Sequence, residues 1–401
     1  MRGERIIEEK YMTRRERLMA TMRGEPVDRL AVSFYELNGL DEDYNDLDPF
    51  NIYSDPSWRE LIELARDHTD RIVMRSVPFI TESGASGAKQ MVGIPSDPLS
   101  SISTEVTTYD SNGSWIITRT IKAGDRMLTS RTRQDKDVNT IWTLEHLLKE
   151  EDDLKALLEL DFPPTAGVPD VAVVLKAEEA LGDSGIVMID TPDPLCLAAM
   201  LFDMETYTVV AMLEPELFHQ LLAKFATILH ANTQAVAKAL PGRLWRIFGP
   251  EFASPPYQSP AAFRDYVVQY DQPMVDAIQK YGGFVRIHSH GNLKDILDHI
   301  ASMGVDGLDP IEPEPQGDVS LSYVREKYGK WLVLFGNLEA ADLENLPTEE
   351  FARKIQDAID QGAAGEGRGF VLLPSSCPYG RTLPLLALAN YKKMVELVNR
   401  G

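Results

Sequence analysis

Short apolar runs recur along the chain, and most are followed by segments whose apolar residues fall at helical spacing. The runs are residues 30–35 (LAVSFY), 71–75 (RIVMR), 185–190 (GIVMID), 244–249 (LWRIFG), 283–288 (GFVRIH), 305–309 (VDGLD), 331–336 (WLVLFG) and 369–373 (GFVLL). Their hydrophobicity is continuous rather than alternating, as parallel strands covered on both faces require. Helices are predicted over 55–68, opened by Ser54-Asp55-Pro56, over 259–281, opened by Ser259-Pro260, and over 293–303, stopped by Gly304. Two more follow over 349–361, closed by Gly362, and over 384–398. Eight strand–helix units predict a closed α/β (β/α)₈ TIM barrel in preference to an open doubly wound sheet. The barrel is read as one domain over 1–401, with residues 1–29 as a helical N-terminal extension.

The period changes once. Between about 90 and 133, Val/Thr/Ile-rich alternation (STEVTTY, SWIITRTI, MLTSRT) is broken by Asp110-Ser111-Asn112-Gly113 and Gly124-Asp125, which is antiparallel hairpin chemistry. It predicts a small β-hairpin insertion over 86–135, after the second barrel strand.

Composition narrows the function. With 62 acidic and 40 basic side chains the formal net charge is −22, which repels phosphate backbones and anionic lipids. Neither nucleic acid nor membrane is an expected partner, and no run of 18 apolar residues is present. The opening residues MRGERIIEEKYMTRRERL have no secretory apolar core, and the two cysteines, Cys196 and Cys377, give no disulfide framework. A reducing cytoplasm is the expected location. Cys196, in LCLAAMLF, reads as a buried small hydrophobe.

In barrels of this type chemistry sits where strands end and loops begin. Polar and ionisable groups gather there: Tyr35-Glu36-Leu37-Asn38, Asp190-Thr191-Pro192-Asp193, Gly249-Pro250-Glu251, His288-Ser289-His290, Asp309-Pro310-Ile311-Glu312, Gly336-Asn337 and Ser376-Cys377-Pro378-Tyr379. Residues i and i+2 of an extended chain share a side, so His288 and His290 can face one ligand. Two imidazoles and the thiolate of Cys377 would make a three-ligand zinc site with an open fourth position. The plainer reading, two histidines bonded to loop backbone, also stands. Glu251 and Glu312 are candidates for a fourth ligand or a general base, against a role in helix caps or in pairs with Arg246, Arg286 or Arg381. Asp309 and Asp318 read as loop holders, and Tyr35, Tyr257 and Tyr379 as pocket walls. The acidic run Glu150–Asp153 reads as a solvated helix end.

The segments MTRRERLMATMRGEPVDRLAV, SPAAFRDYVVQYDQPMVDAIQKYGGFVRIHSHGNLKDILDHIASMGVDGLDPIEPEPQGDVSL, GNLEAADLENLPTEEF and FVLLPSSCPYG resemble the uroporphyrinogen decarboxylase superfamily, which includes corrinoid-linked methyltransferases. The resemblance covers essentially the whole chain and implies a homodimer. Uroporphyrinogen decarboxylases carry an arginine-rich segment after the first strand; YELNGLDEDYNDLD here has no arginine and would repel a polycarboxylate. The superfamily's zinc methyltransferases place His-x-Cys after strand five and Cys after strand eight. His288 and Cys377 match, and His290 stands where a cysteine is expected. Imidazole in place of thiolate leaves more positive charge on zinc, which favours polarising an oxygen such as that of a methoxy group.

The resemblance implies a zinc-dependent methyltransferase moving a methyl group between a small donor and a corrinoid on a partner protein. His288, His290 and Cys377 would hold zinc, Glu251 or Glu312 would handle a proton, and Tyr35, Asn38, Asn337, Tyr379 and Arg381 would contact substrate. One alternative is a metal-independent decarboxylase of a carboxylated aromatic or pyrrole, working through Asp190, Tyr257 and rim arginines. The other is a non-catalytic barrel that binds a small molecule.

Overall fold

The computed structural model describes residues 11–80, 97–162 and 167–400. Eight parallel strands wind into a barrel: β1 (Ala31–Val32), β2 (Arg71–Arg75), β3 (Gly185–Pro192), β4 (Leu244–Phe248), β5 (Phe284–Ser289), β6 (Gly307–Pro310), β7 (Val333–Leu338) and β8 (Phe370–Pro374). Each strand from β2 to β7 pairs with its successor in sequence, and β1 pairs with β8, the order of a TIM barrel and not of an open doubly wound sheet. Asp70 closes the seam between β1 and β2. Its amide donates to the Val32 carbonyl (2.7 Å), and its Oδ2 accepts from the Val32 amide (2.9 Å).

Two apolar cores sit on either side of the strands. Inside, Ile72, Ile186, Met188, Leu244, Val333, Phe335 and Val371 fill the lower barrel, and Leu18 and Met22 of the N-terminal helix Arg14–Arg23 join them. Outside, the larger core packs the helices on the sheet; Pro215–Ala239, between β3 and β4, is the longest of them at 25 residues. The N-terminal helix is capped by reciprocal hydrogen bonds between Thr13 and Glu16 and stopped by Gly24 at φ 69°. Two of its arginines tether it. Arg14 donates to the Arg66 and Thr69 carbonyls, and Arg17 pairs with Asp28 and Asp70.

The strands reach further toward the mouth than expected in β3, β5, β6, β7 and β8, while β1 is shorter. After Ser33, which still donates to Leu372, Glu36 adopts a left-handed φ of 56° and turns the chain away. The expected helix 293–303 is confined to Leu297–Ser302, because Asp318 Oδ1 takes the Leu293 and Lys294 amides (2.8 and 3.0 Å) and holds them as a loop.

The insertion is a four-stranded antiparallel sheet, Ser103–Tyr109, Trp115–Ala123, Arg126–Gln134 and Ile141–Glu145. It continues past residue 135 because the turn at 135–140 returns the chain to the sheet; residues 86–96 of the expected segment lie outside the described residues, as do 1–10 of the expected extension. The run Glu150–Asp153 is not merely solvated. Arg126 of the insertion pairs with Glu150 (2.6 Å), Asp152 (3.1 Å) and Asp153 (2.8 Å), and Asp153 caps the Lys149 amide. On its other side the insertion meets the loop after β8: Asn139 N–H donates to the Tyr379 carbonyl (2.7 Å), and Arg381 N–H to that of Asp137 (2.8 Å).

Candidate active site at the barrel mouth

Parallel register assembles the site. Arg246 of β4 lies between Asp190 of β3 and Arg286 of β5, and two residues further along, on the same face, His288 lies beside Asp309 of β6. These groups form a charged layer above the apolar floor. Arg246 grips Asp190 with Nε (2.6 Å) and Nη2 (3.0 Å) and donates from Nη1 to the Tyr35 hydroxyl. Arg286, 1 % exposed, is forked onto the fully buried Asp309 and stacks over Phe335 at 4.4 Å. Asp309 is therefore more than a loop holder. Its second partner is His288 Nδ1, at 2.7 Å. Burial would raise the Asp309 carboxyl, but Arg286 and His288 outweigh it and hold the group well below the usual carboxylate range.

The histidines are brought together. Their rings lie 4.6 Å apart at 89°. His290 Nδ1 meets Glu312 Oε1 at 2.8 Å, and Glu312 Oε2 accepts the Gly291 amide at 2.9 Å. Burial opposes the charged imidazole, yet the hydrogen bond and charge of Glu312 raise the His290 pKa above its ordinary value; Glu312 is lowered by the same partner against its own burial. Each imidazole thus has Nδ1 fixed by a carboxylate and keeps Nε2 for another partner; that of His288 lies 3.5 Å from the Tyr35 hydroxyl. This is how metal-binding histidines are usually supported.

Cys377 is not gathered with them. Its Sγ lies 4.0 Å from Glu36 Oε2, and burial followed by the charges of Glu36 and Glu42 pushes its thiol pKa well up. Among the described residues, no three His, Cys, Asp or Glu side chains form a group that could hold a metal ion. The imidazole pair fits a metal; the sulfur of the expected trio faces a different partner.

The remaining candidates spread around the rim. Glu251 accepts its own loop's Gly249 amide (3.1 Å). Asn38 spends its side chain on Leu40 and Asp41 inside an Asx turn. Arg381 clamps loops together, donating to the Lys136 carbonyl (2.6 Å), to Asp137 and to the Pro49 carbonyl. Tyr257 and Tyr379 are half exposed, and Asn337 lies one residue before the end of β7, opposite Leu373. Cys196 is buried, as its surroundings suggest. Sequence reasoning placed Glu36 at the rim but gave it no role; its carboxylate stands 4.0 Å both from Arg246 and from Cys377. It also treated Arg246 and Arg286 only as partners for other acids; their place on the inward face, alternating with the outward-facing Ile247 and Ile287, was the available signal.

One solved structure shares this fold over nearly its whole length. A methyltransferase from Methanosarcina mazei is similar to 97 % of this chain and 99 % of its own, at 17 % identity and a TM-score of 0.60. A D-psicose 3-epimerase is similar over 62 % of this chain and 84 % of its own at 12 % identity, with a TM-score of 0.29, too remote for argument. No curated protein sequence matches the chain. The family model for uroporphyrinogen decarboxylase (URO-D) matches residues 143–401, which include strands β3 to β8 and both histidines, and the chain belongs to that family.

Proposed function

We propose that this chain is a zinc-dependent methyltransferase, which moves a methyl group between a small methylated compound, such as a methoxy compound, and a corrinoid on a separate protein docked at the mouth. The observation that carries the reading is the imidazole pair at the mouth end of β5, His288 in the strand and His290 just after it, each ring backed by its own carboxylate. The fold shared with the Methanosarcina mazei methyltransferase supports it. His288 and His290 would hold the metal, and Cys377 is the third ligand of the proposal. Zinc bound there supplies a Lewis acid that draws electrons from the donor's heteroatom.

The chain's own groups do the rest. Asp309 and Glu312 fix ring orientation and tautomer. Arg246 occupies the oxygen of Tyr35 as an acceptor, which leaves the hydroxyl proton to be donated into the mouth. Glu312 is committed to His290, so of the two candidate acids Glu251 is the one left to take or give a proton. The decarboxylase reading has less to work with, since Arg246, Arg286 and Arg381 are each spent on protein acceptors.

Elemental analysis of the purified protein should find about one zinc per chain, with the content falling in His288→Ala and His290→Ala. The zinc-loaded protein should demethylate a methoxy donor when cob(I)alamin is supplied as acceptor. Metal-free protein whose turnover survives both substitutions overturns the reading.

A further inference from the structure

The end of the barrel opposite the mouth carries a cavity of about 260 Å³, close to the size of a small-ligand pocket. Arg15, Met19 and Arg23 of the N-terminal helix line one side, and Ile186, Arg243 and Leu244, at the starts of β3 and β4, line the other. Positions 15, 19 and 23 recur at i, i+4 and i+8, so the helix presents one Arg-Met-Arg stripe to the cavity. The division of labour among its arginines is clear. Arg14 and Arg17 are consumed in tethering the helix. Among the described residues, Arg15 is exposed with no ion-pair partner, and Arg23 reaches only Glu25, at 3.5 Å with both side chains half exposed. Such a pair is weak. Arg243 is forked onto Glu178, the one acid in the lining (3.1 Å to each oxygen). Three arginines less one glutamate leave the cavity at +2, in a chain whose net charge is −22.

We infer that this cavity binds a small organic anion, with its acidic groups on Arg15 and Arg23 and its carbon skeleton over Met19, Ile186 and Leu244. Guanidinium groups match carboxylate and phosphate oxygens in pairs, and a bound anion relieves the mutual repulsion of the unspent arginines. A rise of about 1.5 Å per residue separates the two arginines by about 12 Å along the helix, which suits a ligand with acidic groups at both ends of a short carbon chain. The mouth and its histidines take no part.

Calorimetric titration of the full-length protein at low ionic strength with adipate and with inorganic phosphate tests this. Saturable binding is expected, weakened at least tenfold in the double variant Arg15→Gln/Arg23→Gln and unchanged in His288→Ala. Both arginines face solvent, and an unaltered near-ultraviolet circular dichroism spectrum would establish that the double variant is folded. Tighter binding of adipate identifies a carboxylate ligand, and tighter binding of phosphate a phosphate ester. Absence of saturation, binding that survives the double change, or binding lost in His288→Ala overturns the inference.

Discussion

Asp309 serves two partners at once, neutralising Arg286 and orienting His288, from a position with no exposure. Replacing it by asparagine leaves a buried guanidinium without its counter-charge, a change expected to cost about 3–5 kcal/mol. Urea denaturation of Asp309→Asn should show the loss, and a midpoint within error of the parent would refute the account. Asp193 and Asp271 pose the opposite case: both are fully buried, and Asp193 Oδ2 and both Asp271 oxygens have no hydrogen-bond partner. Burial raises both carboxyl pKa values, and for Asp193 the charge of Asp271 adds to it. A folded value above the unfolded one means that the pair's contribution is fully present below the ordinary carboxylate range, about 3.9, and is lost as pH rises through the folded value. Asp271→Asn should therefore outlast the parent in thermal denaturation at pH 8, with the advantage growing by up to about 1.4 kcal/mol per pH unit and vanishing toward pH 4. Parallel stability curves for the two proteins would sink this assignment.

At the level of elements, the barrel's shortest strand is β1, two residues long and completed by the side chain that precedes β2. Asp70 also pairs with Arg17 and Arg29, so the seam and the N-terminal helix depend on one carboxylate. Asp70→Asn should accelerate hydrogen exchange at the Val32 amide more than at amides of β5; uniform acceleration would mean that the seam has no separate stability. The eight strands were legible because buried parallel strands must be continuously apolar, and their first residues fell within two positions of the expectation. The fourth strand of the insertion was not, because 135–140 looks like a terminus unless one knows that Ile141 can pair with Gln134. The helix 293–303 failed for a similar reason: Asp318, 25 residues away, outcompetes the helix for the Leu293 amide.

Across the whole molecule, the site was half legible. The His288–His290 spacing announces itself locally, whereas Asp190, Arg246 and Arg286 come from three strands and meet only through register. Cys377 shows the limit most plainly, since a sequence can place it at the right rim without saying which neighbour its sulfur faces. Its loop is stitched by backbone hydrogen bonds to residues 137–139 of the insertion, with Arg381 clamping the join from the β8 side. Insertion and loop therefore behave as a single exchangeable part. A chimera that imports the β8 loop of a relative without the matching insertion inherits mismatched seams, so specificity in this architecture can be transplanted only as a two-piece cassette.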